Sequence, residues 1–371
     1  HFQLQANFSN LPNANTIIVS AHLVGNTMQY LHLVNLRNSL EAENAEKYLN
    51  DYLSNKGTID TRKYNSEKIY SFKRSEIQLH YAFVKGVFVL SHNQLLVEEA
   101  IRQADAEHSI LDEQGFHQVR ETEGKYTDVN LYVNLNKAPQ VLSAYFSSDY
   151  SNTISDFTSL GNWIELDINL KEEGILLNGF TSIDQFNPNY FNIFIKQEPV
   201  KFQAVKILPK DIPLFVRFGI SDFAQFRYDI KKYEKEAAVA NYTNELNSIK
   251  SIYHIDIEQT FARFFDSEFL IAYSTKLNKN NNNTPFCIVG TKARSVAENE
   301  LLELLKIHAR NKNKSLGSYY SDYKIDKDIT NRIYEFPVSN ICGLLFGRFM
   351  SEVKADYFTF VDNYLLFAES K

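Results

Sequence analysis

Three histidines, His22, His32 and His80, fall in segments that read as β-strands. Three imidazoles converging on one sheet would hold a transition metal. Their spacing follows no ligand pattern, and histidines on strands more often serve as hydrogen-bonded structural residues, so no metal is expected. Asp322, Asp326 and Asp328 crowd a short stretch and raise calcium, but the run lacks the alternating acidic ligands and central glycine of a calcium loop. It reads as a charged strand end or turn. Glu165 and Asp167 share one face of an alternating strand, as an acid and a base might. That face reads as the solvated one. Trp163, the single tryptophan, is expected in core packing rather than sugar stacking. Cys287 and Cys342 sit at apolar, strand-like positions and read as buried free thiols.

The common catalytic signatures are missing. Neither G-x-G-x-x-G nor G-x-x-x-x-G-K-[ST] occurs, so there is no glycine-rich cradle of backbone amides for a phosphate. G-x-S-x-G, H-E-x-x-H and C-x-x-C are absent as well, which removes elbow-type serine hydrolases and the common zinc sites. No catalytic, cofactor-binding or metal-ligating residue is assigned, and no cofactor is expected. Catalysis itself is not expected.

The elements that would position any site fall in three sections. In the first, Thr16–Ala21 and Tyr30–Asn35 read as strands, and Ser39 is the expected N-cap of a helix with Ala42, Ala45, Tyr48, Leu49, Tyr52 and Leu53 on one face. Strands at Thr58–Tyr64, Lys68–Lys73, Leu79–Val84 and Val87–Ser91 follow, the last two turning at Lys85-Gly86, and a short helix spans Gln94–Gln103. The middle section has long antiparallel strands at Asp128–Leu135, Trp163–Leu170 and Gly174–Ile183. In the third section, Ser221 is expected to cap the longest helix, over residues 221–247, whose stripe of Phe223, Phe226, Ile230, Tyr233, Ala237 and Ala240 should lie on its own sheet.

The two ends read as one unit written twice. Leu31–Arg37 and Ala42-Glu43-Asn44 are answered by Phe286–Lys292 and Ala297-Glu298-Asn299 at an offset of 255. Ile69–Phe72 is answered by Ile333–Phe336 at 264, and Val84–Val89 by Val361–Leu366 at 277. An offset that grows while order is kept is what loop insertions in a duplicated domain produce. The reading is therefore α+β: two diverged pseudo-repeat lobes of antiparallel sheet with helices on one face, plus a central antiparallel β segment. Its boundaries are 1–110, 111–205 and 206–371.

At 371 residues the chain can bury two or three ordinary cores, and 28 Phe and 22 Tyr make those cores aromatic. A net charge of −6 with scattered Lys and Arg gives no footprint for a polyanion, so nucleic acid is excluded as a partner. No apolar run is long enough to span a bilayer.

Given the duplication, the section from Ile207-Leu208-Pro209-Lys210-Asp211 to Phe226, and the strand Gly174-Ile175-Leu176-Leu177-Asn178-Gly179, the chain resembles a bacterial extracytoplasmic family known only as domain of unknown function 3352. The resemblance implies an N-terminal membrane anchor, two diverged α+β lobes with an LP-x-D start and an SDF-x-x-F-like helix, and in some members a C-terminal β-propeller. This chain lacks the anchor, and before the first copy only Leu11-Pro12-Asn13 approaches LP-x-D. The expectation is a non-enzymatic envelope or cell-surface domain, in the periplasm or on the surface, that mediates protein binding or assembly. Its partner would be another envelope protein, with membrane contact only through a segment outside this chain. The alternatives are an enzyme with a site in the interlobe cleft and a lipid or glycan binding protein. The second copy is preceded by a strand and helix that the first lacks, and no helix follows Leu365-Leu366-Phe367, so the chain is expected to be a fragment of a longer protein.

Overall fold

Alternating runs bounded by turn residues pair as successive hairpins. The computed structural model describes residues 16–36, 38–148, 151–184, 189–237, 242–277, 283–324 and 330–371, in two compact units, 1–184 and 185–371.

In the first unit β1 (Ile17–Val24), β2 (Thr27–Asn35), β3 (Thr58–Tyr64), β4 (Glu67–Arg74), β5 (Ile77–Val84) and β6 (Val87–Ser91) form one antiparallel sheet in the order β1-β2-β6-β5-β4-β3. The β5–β6 hairpin turns at Lys85 and Gly86, with φ of 46° and 82°, the left-handed pair that matches strand twist. Helix α1 (Ser39–Ser54) crosses from β2 to the far edge. Its N-cap is Asn38, whose Oδ1 accepts from the Glu41 N–H at 2.9 Å; Ser39, the expected cap, is the first helical residue. Leu53 packs on Tyr70, Phe72 and Tyr81, and Tyr81 donates to Asn50 Oδ1 at 2.6 Å. Helix α2 (Gln94–Ala104) departs from the expectation of helices on one face. Its Leu96, Val97 and Ile101 cover the opposite face, against Ile69, Ala82 and Val89. The reason is period-2 alternation, which gives β4 and β5 an apolar set on each side. The unit continues through α3 (Gln114–Arg120), β7 (Val129–Asn134), α4 (Ala138–Leu142), α5 (Ser151–Ser155), β8 (Trp163–Lys171) and β9 (Gly174–Ser182), with β7-β8-β9 as a second, three-stranded sheet.

In the second unit β10 (Leu214–Gly219) is followed by α6 (Phe223–Glu236), α7 (Tyr242–Tyr253), α8 (Ile257–Phe264), β11 (Phe265–Leu277), β12 (Asn283–Thr291), α9 (Arg294–Asn311), β13 (Tyr320–Lys324), β14 (Thr330–Glu335), α10 (Ile341–Phe346), β15 (Tyr357–Val361) and β16 (Tyr364–Ala368). The sheet runs β10-β11-β12-β16-β15-β14-β13. Without β10, this is the strand order of the first sheet. The registers agree as well. His32 pairs with Leu90 as Cys287 pairs with Phe367, at offsets of 255 and 277. Tyr70 pairs with Tyr81 as Tyr334 pairs with Phe358, at 264 and 277. In both copies that tyrosine reaches up to the crossing helix: Tyr70 donates to Glu46 of α1, and Tyr334 to Glu298 of α9. Both helices therefore lie on the same face of their sheets.

The expected helix over 221–247 is replaced by two, α6 and α7, and residues 238–241 between them lie outside the described residues. Asp222 is the cap, its Oδ1 accepting from the Gln225 N–H at 3.0 Å, while Ser221 Oγ accepts from the Glu198 N–H at 2.8 Å. The apolar stripe does lie on its own sheet: Phe226 meets Phe269 at a ring separation of 5.8 Å and Phe223 meets Phe265 at 4.6 Å. Ala204, Ile207 and Leu208 cover the other face, against Leu270 and Ile288.

Candidate functional site

Strand register decides the histidine question. His32 pairs with Leu90, which pairs with Tyr81, so His32 shares the Tyr81 face, and His80, next along β5, points the other way. His22 lies an odd number of positions from Val19, the partner of His32, and so also faces away from it. His22 is hydrogen-bonded to Ser20 at 2.7 Å and His80 to Ser71 at 2.9 Å, and burial lowers the pKa of all three imidazoles. Among the described residues no group of three His, Cys, Asp or Glu side chains is placed to hold a metal. Asp322 pairs with Arg332 across β13–β14 at 2.8 Å; Asp326 and Asp328 lie outside the described residues. Cys287 and Cys342 are buried and free, and burial followed by the neighbouring Cys342 raises the Cys287 thiol well above its usual range.

The three-stranded sheet reverses the expectation for Glu165 and Asp167. Val129, Leu131, Leu166, Ile168, Leu170, Ile175 and Leu177 share one face by register, and five of them are exposed. The face carrying Trp163, Glu165 and Asp167 is the covered one, because Phe116 and Val119 of α3 pack on Trp163. Trp163 is a core residue, its ring 5.1 Å from Phe116. Asp167 accepts from the Gly124 N–H at 3.0 Å and from Asn130 Nδ2 at 2.7 Å. Glu165 is 0% exposed, and neither of its oxygens has a hydrogen-bond partner among the described residues. Burial, then the neighbouring Asp167, pushes its carboxyl up to about 7. Gly179 of β9 permits the close backbone pairing with β8, since a Cβ there would stand 1.8 Å from the Glu165 carbonyl oxygen.

A cavity of about 380 Å³ opens in the second unit, and no sequence candidate touches it. Its walls come from four places: Tyr190, at the start of the 3-10 turn Tyr190–Phe194; Tyr233 and Glu234 at the end of α6; Tyr242, the first residue of α7; and the turn after α10 with Gly347, Arg348 and Ser351. Gly347 has φ +86° and ψ −175°, a conformation essentially confined to glycine, and this turns the chain out of α10 toward the cavity. Tyr190 stands edge-on to Tyr233 and to Phe349, at ring separations of 5.7 and 4.7 Å. Its hydroxyl has no hydrogen-bond partner among the described residues. Glu234 is 8% exposed, and burial, only partly offset by Arg227, pushes its carboxyl up to about 7.

Glu268, at 2% exposure, shows what a satisfied carboxylate looks like in the same unit. It pairs with Arg217 at 2.8 Å and accepts from the Ala204 N–H at 2.7 Å and from the Tyr364 hydroxyl at 3.1 Å. Sequence reasoning missed Tyr190 and Glu234 because they sit far apart in the chain, in no motif. The one local signal was Glu234 beside Tyr233 on the apolar stripe of α6, where a charged residue is out of place.

No curated protein and no solved structure matched the chain. The family described as protein of unknown function (DUF3352) matches over residues 14–322. That match spans the first copy, the three-stranded sheet, the cavity-lining part of α6 and α7, and the second copy into β13, and the chain therefore belongs to the DUF3352 family.

Proposed function

We propose that the chain is a non-enzymatic binding domain of the bacterial envelope that takes up an extended strand of a partner protein along β9. One observation carries the reading. β9 runs nine residues without a charged side chain, residues 174–180 are exposed, and among the described residues β8 is its only strand neighbour. Long sheet edges are ordinarily blunted by lysine, proline or a bulge, because their free N–H and C=O groups template another strand. β9 has none of these, and its own Ile175 and Leu177 are 65% and 48% exposed. The occupant that fits is an uncharged segment with apolar residues at alternate positions, held by main-chain hydrogen bonds and by the apolar face. The family resemblance supports the extracytoplasmic setting, with membrane attachment through a segment outside this chain. Among the described residues, no helix is long and apolar enough to cross a membrane.

The test adds an acetylated and amidated nine-residue peptide of alternating valine and threonine, and follows backbone hydrogen exchange. Exchange is expected to slow across 174–182 and to stay unchanged in β1–β6. An Ile175→Lys/Leu177→Lys chain should lose that protection. No protection at millimolar peptide would overturn the proposal, as would sedimentation showing β9 closed against a second copy of this chain.

A further inference from the structure

The cavity of the second unit holds two buried polar groups from separate elements, and neither has a hydrogen-bond or ion-pair partner among the described residues. Glu234 and Tyr190 are both more than nine-tenths buried. The Tyr190 hydroxyl is unpartnered, and Glu234 makes no hydrogen bond or ion pair with any described residue. The cations nearest along α6 are engaged elsewhere, since Arg227 and Lys231 reach Glu258 of α8 at 2.9 and 2.5 Å. The remaining polar groups at the cavity are Tyr233, Tyr242, Arg348 and Ser351. Arg227 and Lys231 only partly offset the burial of this carboxyl, and a buried carboxyl so incompletely compensated either keeps its proton or takes up a cation. Tyrosine rings around it favour a cation of low hydration, because their faces are negative.

We infer that this cavity is a binding site for a small organic ammonium ion, with Glu234 as its counter-charge, Tyr190 as a second polar contact and the tyrosine rings as walls. A volume of about 380 Å³ accommodates a ligand of one ring or a short chain. Inorganic cations fit less well, since the cavity offers a single carboxylate where a hard metal ion takes six or more oxygens.

The experiment titrates the whole chain with benzylammonium and with benzyl alcohol, its neutral counterpart of the same shape, by calorimetry. Benzylammonium should bind at least about tenfold more tightly at about pH 8, the value of a charge-assisted hydrogen bond in a desolvated site. Because the ammonium needs the ionised carboxylate and Glu234 is held at about 7, that preference should grow from about pH 6 to about pH 8. Glu234→Gln should erase both the preference and its pH dependence. Tyr190→Phe, which keeps the ring, should weaken benzylammonium severalfold with an unchanged circular dichroism melt. Equal affinity for the two probes, binding of neither, or an unchanged preference in Glu234→Gln would overturn the inference.

Discussion

The two units share a strand order and differ in what is added to it, and each addition isolates one carboxyl. In the first, the β7–β9 sheet seals Glu165 beneath α3 with Asp167 beside it. In the second, α6, α7 and the turn after α10 leave Glu234 facing a cavity. Both carboxyls are pushed to about 7, chiefly by burial. The same shift therefore has two meanings. A sealed acid is a standing cost to stability, whereas an acid at a cavity can be relieved by a ligand. A glycine is required beside each, for different reasons: Gly179 lacks room for a Cβ against the β8 backbone, while Gly347 has room but an unusual φ.

The largest effect should come from that difference. In Gly179→Ala the new Cβ meets backbone rather than a flexible side chain. A loss of about 3 kcal/mol or more is expected in denaturant melts, with hydrogen exchange rising first in β8 and β9. Gly347→Ala should cost about 1–3 kcal/mol through backbone conformation alone and should distort the cavity while leaving the strands protected. A larger loss for Gly347→Ala than for Gly179→Ala would break the distinction between steric and conformational need.

The carboxyls come next. Each has a folded pKa near 7 against an ordinary 4.5, so between these values the folded chain holds protons that the unfolded chain has lost. Stability attributable to them falls as pH rises through this window, and the full cost is present above it. Glu165→Gln should therefore leave stability unchanged near about pH 4 and raise it by about 1–3 kcal/mol near about pH 8, read from urea midpoints at both values. Glu234→Gln should show the same sign with a smaller gain, because Glu234 keeps 8% exposure where Glu165 has none. A larger gain in Glu234→Gln would show that Glu165 is the better solvated of the two.

The smallest effect tests the duplication. Asn38 caps α1 through its side chain, but Ala293, at the equivalent place 255 residues on, leaves α9 without a side-chain cap. Ala293 already has the extended backbone of an N-cap, with φ −153° and ψ 122°. Ala293→Asn should stabilise the chain by about 0.5–1 kcal/mol in thermal melts, and a loss would show that the two helix starts are not equivalent.

The sequence by itself determined the strands, their hairpin pairing and the duplication. Alternation and turn residues are local, and the offsets of 255 and 277 read from the sequence carry the His32–Leu90 pair of the first sheet onto the Cys287–Phe367 pair of the second. It also placed the apolar stripe of α6, since helical period is local too. Only the tertiary structure decided which face of the β7–β9 sheet is covered. Alternation separates two sets of residues without saying which one meets α3, and here the charged set does. The cavity was illegible for a related reason. Tyr190, Glu234 and Gly347 are brought together by the packing of α6 against the Tyr190–Phe194 turn and α10, and a cavity is a gap in that packing rather than a pattern along the chain.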